Sequence, residues 1–220
     1  YDMAGINQIQ VNQRANLTFA TGLRSILRQD PNIILVGEIR DEETSGIAIN
    51  LAMTGHLVLS TLHANDAATT IPRLLDLGIE PFLIASTVSV IVAQRLVRKI
   101  HEPCRVSEEV SLELLRTQLS AELVQKLFPR KASSQKETTR VYRGKGCPLC
   151  HGSGYAGRVG IFEVLSMGES LRHAIMERAT ASEIQTIAKQ GGMRTMIEDG
   201  IEKVRQGITT LDEVIRVARE

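Results

Sequence analysis

Two short runs without a polar residue, Ile33-Ile34-Leu35-Val36 and Leu57-Val58-Leu59, constrain this chain more than any other feature. Each is too short for a helix and reads as a strand buried on both faces. The segment between them is one helix long. Asp41 can cap that helix, Glu42 and Glu43 sit favourably on its N-terminal dipole, Ile47, Ala48, Leu51 and Ala52 form an apolar stripe, and Gly55 is the stop. Strand, helix, strand at this spacing predicts a parallel pair joined by a crossover helix, hence an α/β layer.

The flanks extend the pattern. Residues 6–11 are β-compatible, and Thr18 can cap a helix carrying Leu23, Ile26 and Leu27 that Asp30-Pro31 ends. Asn65 or Asp66 opens a further helix with Leu74, Leu75 and Leu77, closed by Gly78. Phe82–Ala93 reads as a buried helix, well short of the ~20 apolar residues that cross a bilayer. Past Arg98 comes a Cys/His region, then a helical segment around 112–127 and a polar stretch, Lys131–Arg140, that reads as a loop. A strand over Arg158–Leu165 precedes several small helices, with Ser182–Gln185 and Thr210–Glu213 fitting the capping-box spacing. There is no internal repeat. The division expected is 1–98 for the α/β part, 99–157 for a knuckle region with a helical insertion and loop, and 158–220 for a small helical part.

Composition excludes several classes. With 220 residues and 43% apolar content the chain can build a core, so extensive disorder is excluded. Lys and Arg total 26 against 25 acidic residues, with no basic run, and aromatics are 3% with no Trp. Neither a phosphate-neutralising surface nor stacking platforms are present in number, so nucleic acid is not an expected partner. No signal peptide opens the chain and three cysteines make no even disulfide framework, which points to a reducing, cytoplasmic setting. The chain starts with Tyr rather than Met, so it is expected to be part of a longer or processed protein.

Ligands of parallel sheets bind beyond the carboxyl ends of the strands. Both strands end there in polar residues: Glu38, Arg40 and Asp41 on one, Thr61, His63 and Asn65 on the other. An apolar strand delivering a carboxylate is how P-loop phosphoryl-transfer enzymes present a residue to nucleotide-bound magnesium or to the attacking water. On spacing alone Glu38 reads as a solvated strand-end carboxylate, and a lone His63 as a structural hydrogen-bonder. Their occurrence on successive strands is what points to a site. A second constellation, His101-x-x-Cys104 with Cys147-x-x-Cys150, supplies one imidazole and three thiolates, the set a closed tetrahedral zinc site takes. His151 is a possible competing ligand, and a lost site with spare thiols stays open as the alternative. Gly152–Arg158 reads as a tight turn rather than a phosphate loop, and Arg24, Arg28, Arg95 and Arg98 as surface salt-bridge partners.

Longer words then recur in order: Gly5-Ile6-Asn7-Gln8, Gln10-Val11-Asn12, Leu17-Thr18-Phe19-Ala20, Leu23 through Pro31, Gly37-Glu38-Ile39-Arg40-Asp41, Gly55-His56 through His63, and Gln94-Arg95-Leu96. On these words the chain resembles the GspE/PilB-like ATPases of type II secretion and type IV pilus assembly. The similarity runs on through Gly192-Met193-Arg194-Thr195 and Gly207-Ile208-Thr209-Thr210-Leu211. It implies a partial RecA-like P-loop ATPase core, a parallel sheet with flanking helices, plus a zinc-binding, mainly helical C-terminal domain. Glu38 is then the Walker B glutamate, associated with magnesium and the hydrolytic water, with Gly37 and Arg40 in the same word. His63, with His56 at the start of the word, is then the His box that contacts the γ-phosphate. Asn32 stands where the family usually has Asp, and His101 where many members have the first Cys of two Cys-x-x-Cys pairs.

The resemblance further implies a homo-hexameric motor that hydrolyses ATP with Mg2+ to power secretion or pilus assembly, held peripherally at the inner membrane through platform proteins. No Gly-x-x-x-x-Gly-Lys-Ser/Thr loop occurs in the chain, and the family's acidic box would fall before Tyr1. The chain is accordingly expected to be the C-terminal part of such an ATPase and to hydrolyse little or no ATP alone. Two rival readings stand beside it. One is a non-catalytic, zinc-stabilised docking module of a secretion or pilus system. The other, a helicase-like nucleic-acid motor, shares the fold but lacks the basic and aromatic features.

Overall fold

The computed structural model describes residues 3–128 and 138–218. In chain order the helices and strands are α1 (Phe19–Ile26), β1 (Ile33–Val36), α2 (Glu42–Met53), β2 (Leu57–Ser60), α3 (Thr70–Asp76), α4 (Pro81–Thr87), β3 (Val90–Ile100), β4 (Arg105–Ser111), α5 (Leu112–Gln118), α6 (Ala121–Leu127), β5 (Thr138–Gly144), β6 (Tyr155–Ser166), α7 (Glu169–Met176), α8 (Ala181–Gln190), α9 (Met196–Arg205) and α10 (Leu211–Ala218). They fall into two compact units. One takes the chain to Ala64 with Ala68–Val90 and Ser166–Ala188, and the other takes Asn65–Ala67, Ile91–Leu165 and the chain from Lys189.

In the first unit β1 and β2 pair in parallel, Ile33 opposite Leu57 and Val36 opposite Ser60, as the strand–helix–strand spacing predicts. Leu23 of α1, Leu51 of α2, Ile34 and Val36 form the core on one face, with Phe19, Ile26, Ile47 and Val58 packed around it. Thr18 caps α1 in a reciprocal bond pair with Thr21, and the Asp41 carboxylate accepts from the Thr44 N–H at 2.7 Å to start α2. The expectation of burial on both faces fails. Ile33 is 62% and Leu35 72% exposed, and Leu57 and Leu59 on the neighbouring strand are exposed too. Side chains alternate across a strand, and among the described residues helices cover one face only.

Four further expectations change in this unit. Residues 6–11 form no strand, and the nearest pairing is the isolated bridge Asn12 to Leu17. The helix expected from Asn65 or Asp66 starts at Thr70 instead, after a turn over 67–69. The helix expected over Phe82–Ala93 ends at Thr87, Val88 turns extended at ψ 123°, and β3 takes over at Val90. Thr87, Val88, Val90, Ile91 and Val92 are β-branched and stiff at χ1, so a strand with β6 beside it suits them better than a helix. Later in the unit α7 packs on α4, and the Met167 N–H donates to the Ser89 carbonyl at 3.0 Å. The box that starts α8 is Thr180 with Glu183, two residues before the expected Ser182: the Glu183 carboxylate accepts from the Thr180 N–H at 2.8 Å.

The second unit pairs β3 with β6 and, antiparallel, β4 with β5, Arg105 opposite Gly144 and Ser111 opposite Thr138. The strand expected from Arg158 starts earlier, at Tyr155. The helical segment of 112–127 is two helices, split where Ser120 caps the second through the Leu123 N–H. Of the polar stretch Lys131–Arg140, residues 138–140 open β5 and 131–137 lie outside the described residues. Leu112, Leu115, Leu119, Val124, Phe128 and Ile201 make one core, and Val97, Ile161, Met196 and Val217 another. Helices α9 and α10 approach closely at Gly200, where a Cβ would lie 2.5 Å from a Val214 methyl.

Thr210 meets the Glu213 N–H at 3.4 Å, but Glu213 does not complete the box. Its carboxylate, 2% exposed, accepts from the Arg98 N–H at 2.9 Å and from the Arg98 and Arg216 guanidiniums at 2.7 and 2.9 Å. Arg98 is thus the partner of a buried carboxylate rather than of a surface acid, and its guanidinium also lies 4.2 Å over the Tyr155 ring. Arg24 does pair at the surface, with Glu43 at 2.7 Å.

Candidate functional site

The carboxyl ends of β1 and β2 lie side by side because the pair is parallel and in register. The chain crosses back once more just beyond the strands: Ile39 donates its N–H to the Thr61 carbonyl at 3.0 Å, and the Thr61 hydroxyl donates to the Gly37 carbonyl at 2.6 Å. Between these anchors Glu38 projects toward His63, whose Nε2 lies 3.4 Å from its Oε2, while an Arg40 guanidinium nitrogen lies 2.6 Å from its Oε1. Gly37, Glu38, Arg40 and His63 are therefore gathered at one edge. The Arg40 hydrogen bond, with a further contribution from His63, holds the Glu38 carboxyl below the usual carboxylate range, so it is ionised at neutral pH.

His56 is not part of that group. It precedes β2, at the opposite end of the strands, and its Nδ1 lies 3.0 Å from both the Leu51 carbonyl and the Thr54 hydroxyl. A carbonyl can only accept, so the imidazole donates there and closes the C-terminal end of α2. The Asp41 carboxylate is likewise spent on capping α2.

The Cys/His constellation does assemble. His101, Cys104, Cys147 and Cys150 bring one ligand atom each within 4.8 Å of one another. His101 Nδ1 stands 3.4 Å from the sulfurs of both Cys104 and Cys147, while Cys150 lies 3.7 Å from Cys147 and 4.0 Å from Cys104. Sulfurs on a zinc tetrahedron with Zn–S bonds of about 2.3 Å stand roughly 3.8 Å apart, so the spacing fits that ion. Burial pushes the Cys150 thiol up, but N–H groups of Cys147 and Gly154 and the neighbouring thiols, all directed at its sulfur, outweigh it and bring it down to about 6. Burial raises the Cys104 thiol. Chain crossing at the knuckles needs glycine: at Gly146, φ +83°, a Cβ would lie 2.5 Å from the Gly152 carbonyl. His151 is exposed, in a left-handed conformation at φ 51°, and is not one of the gathered ligands.

One buried acid escaped the sequence reading. Glu163 is 3% exposed in β6, bonded to backbone N–H groups on two other segments. Its signal was available: it occupies the inward phase of an alternating strand, between Ile161 and Leu165.

A family model described as "Type II/IV secretion system protein" matches residues 1–216. The chain belongs to the type II/IV secretion system protein family. Among curated members it is 48% identical over 215 residues to the type IV pilus assembly ATPase PilB of Thermus thermophilus, covering 98% of this chain and 23% of that one. It is 46% identical over 222 residues to the type II secretion system ATPase E of Vibrio cholerae, covering all of this chain and 41% of the relative. The chain thus spans about two fifths or less of the length of these curated relatives. Its structure resembles that of the pilus retraction motor PilT with bound ADP, at a TM-score of 0.60 and 26% identity over 92% of this chain and 44% of that one. The fold is therefore the α/β P-loop ATPase fold of this secretion family. No helix among the described residues is long and apolar enough to cross a membrane.

Proposed function

We propose that this chain is the Walker B and His-box part of an ATP-hydrolysing motor that powers type II secretion or type IV pilus assembly. The observation that carries it is the meeting of Glu38 and His63, 3.4 Å apart at the carboxyl ends of two parallel strands, in a chain of the secretion family. Glu38 orients the hydrolytic water and stands at the magnesium that accompanies ATP. That ion supplies charge neutralisation at the phosphates. His63, exposed beside Glu38, contacts the γ-phosphate, and Gly37 and Arg40 line the same edge. Arg40 keeps the Glu38 carboxylate ionised and so able to accept a hydrogen bond from the hydrolytic water. His56 serves this site from a distance, by fixing the α2 end that precedes β2.

His101, Cys104, Cys147 and Cys150 hold a structural zinc with no open position. The donor set and its spacing support that choice. The nucleotide-facing edge lies in the first unit and the zinc knuckles lie in the second. The intact motor is a homo-hexamer in the cytoplasm, held at the inner membrane by platform proteins. The chain alone hydrolyses little ATP.

The test is ATP hydrolysis by the full-length protein and its Glu38→Gln variant. Loss of the water-orienting carboxylate lowers kcat by about a hundredfold or more. An unchanged rate would sink the catalytic reading and leave a zinc-stabilised docking module.

A further inference from the structure

Glu38 stands just beyond the β1–β2 ladder, whose last pair is Val36 opposite Ser60. The phase of that ladder is set at its start, where the Leu57 N–H donates to the Asn32 carbonyl at 3.1 Å. Carried forward along a parallel pair, the same phase gives the Thr61 carbonyl the N–H of residue 38. It takes the N–H of Ile39 instead, at 3.0 Å. The chain therefore gains one residue between the ladder and its next bond, and that residue is Glu38. An extra residue of this kind is left out of the pairing and bends the chain, so its side chain is re-aimed from the direction a regular strand would give it.

Each residue has two soft backbone dihedrals, so one that lies outside a ladder keeps a single direction only where the chain is fixed on both sides of it. Thr61 fixes both sides. Its carbonyl holds Ile39, after Glu38, and its hydroxyl donates to the Gly37 carbonyl, before Glu38, at 2.6 Å, inside the normal O–H···O range. The first bond is main-chain, and any residue at 61 could make it. The second needs a hydroxyl on a stiff, β-branched side chain. Thr61 is exposed, so burial does not account for its side chain. We infer that Thr61 is a positioning residue: its hydroxyl clasps the Gly37 carbonyl and so sets the direction in which the Glu38 carboxylate is presented. All four residues belong to the first unit. The role rests on the reading of Glu38 as the group that orients the hydrolytic water, and Thr61 performs it without touching nucleotide.

The experiment is made on the full-length protein with three variants, Thr61→Val, Thr61→Ser and Glu38→Gln, combining steady-state ATPase kinetics with amide hydrogen exchange. In the unaltered protein the Ile39 amide exchanges more slowly than an unbonded amide by roughly tenfold or more. Free exchange at Ile39 overturns the clasp without any variant. Thr61→Val keeps the branched shape and removes the hydroxyl. It lowers kcat by roughly tenfold with KM for ATP within about twofold, the signature of a misplaced catalytic group rather than lost binding. Thr61→Ser, which restores the hydroxyl, recovers kcat to within about threefold of the parent. Equal losses in both variants would assign the effect to the threonine methyl and overturn the role. A raised KM with an unchanged kcat would place the hydroxyl on the nucleotide and overturn it too, as would a Thr61→Val protein that does not fold. If Glu38→Gln abolishes hydrolysis while Thr61→Val turns over at the parent rate, the positioning role is overturned and the catalytic site stands. If Glu38→Gln itself leaves the rate unchanged, the catalytic reading falls and the role of Thr61 with it.

Discussion

Single side chains in this protein take their character from partners far away in sequence. Glu213 is the clearest case. Burial pushes its carboxyl up, but the Arg98 and Arg216 guanidiniums and the Arg98 N–H outweigh that and bring it down to about 2, against 4.5 for a free carboxyl. Because the folded value is the lower one, the network stabilises the fold fully above about pH 4.5 and loses that contribution as pH falls toward 2. The difference corresponds to at most roughly 3 kcal/mol, reduced by solvent screening at the half-exposed arginines. Glu213→Gln is expected to cost about 2 kcal/mol at pH 7, and much less at pH 2.5, where the parent has itself lost most of the contribution. Urea unfolding at the two pH values checks this. A parent whose stability does not fall across that window would contradict the assignment. A capping box at Thr210 was legible in the sequence, yet the glutamate that should complete it is taken by arginines from β3 and its own helix. Local spacing proposes a partner, and the tertiary fold can offer a better one.

At the level of elements, β1 separates what a strand run says from what a sheet does with it. Four consecutive apolar residues read alike, but only Ile34 and Val36 are buried. Ile34→Ala should therefore cost about 2–4 kcal/mol, and Leu35→Ala in the same strand less than about 1 kcal/mol, measured by chemical unfolding of this chain. Equal losses would mean that both faces are covered. The parallel pair, the α1 and α2 helices and the cap at Asp41 were legible because each is signalled within a few residues. The switch from helix to strand at Thr87 was not, since Phe82–Ala93 is mostly apolar, broken only by Ser86, Thr87 and Ser89, and periodicity does not distinguish a buried helix from a buried strand. A sheet partner, β6, decides it.

For the molecule as a whole, the largest constraint is the closure at the knuckles. Two ligand pairs on either side of the segment Arg105–Gly146 meet within 4.8 Å, so a bound zinc would cross-link the unit that contains β4, α5, α6 and β5. Loop-closure entropy grows slowly with length, so a long loop is no obstacle. Purified without chelator, the protein is expected to carry about one zinc per chain and to melt several degrees lower once the metal is stripped. Cys150→Ser should lose the metal. Elemental analysis together with thermal unfolding checks both, and a metal-free preparation that melts at the same temperature would reject the site.

The sequence by itself determined the order α1, β1, α2, β2, the polar ends that carry Glu38 and His63, the two half-sites of the knuckle and the family words around them. These are written in spacings of two to four residues, which the backbone enforces locally. Only the tertiary structure decided which face of β1 is core and that His56 stands at the wrong end of β2 to meet Glu38. It alone joined Glu163 to Ala67 and Glu213 to Arg98. Those pairings span about a hundred residues, and a buried carboxylate takes whichever N–H groups the packed chain brings to it, which no local spacing encodes.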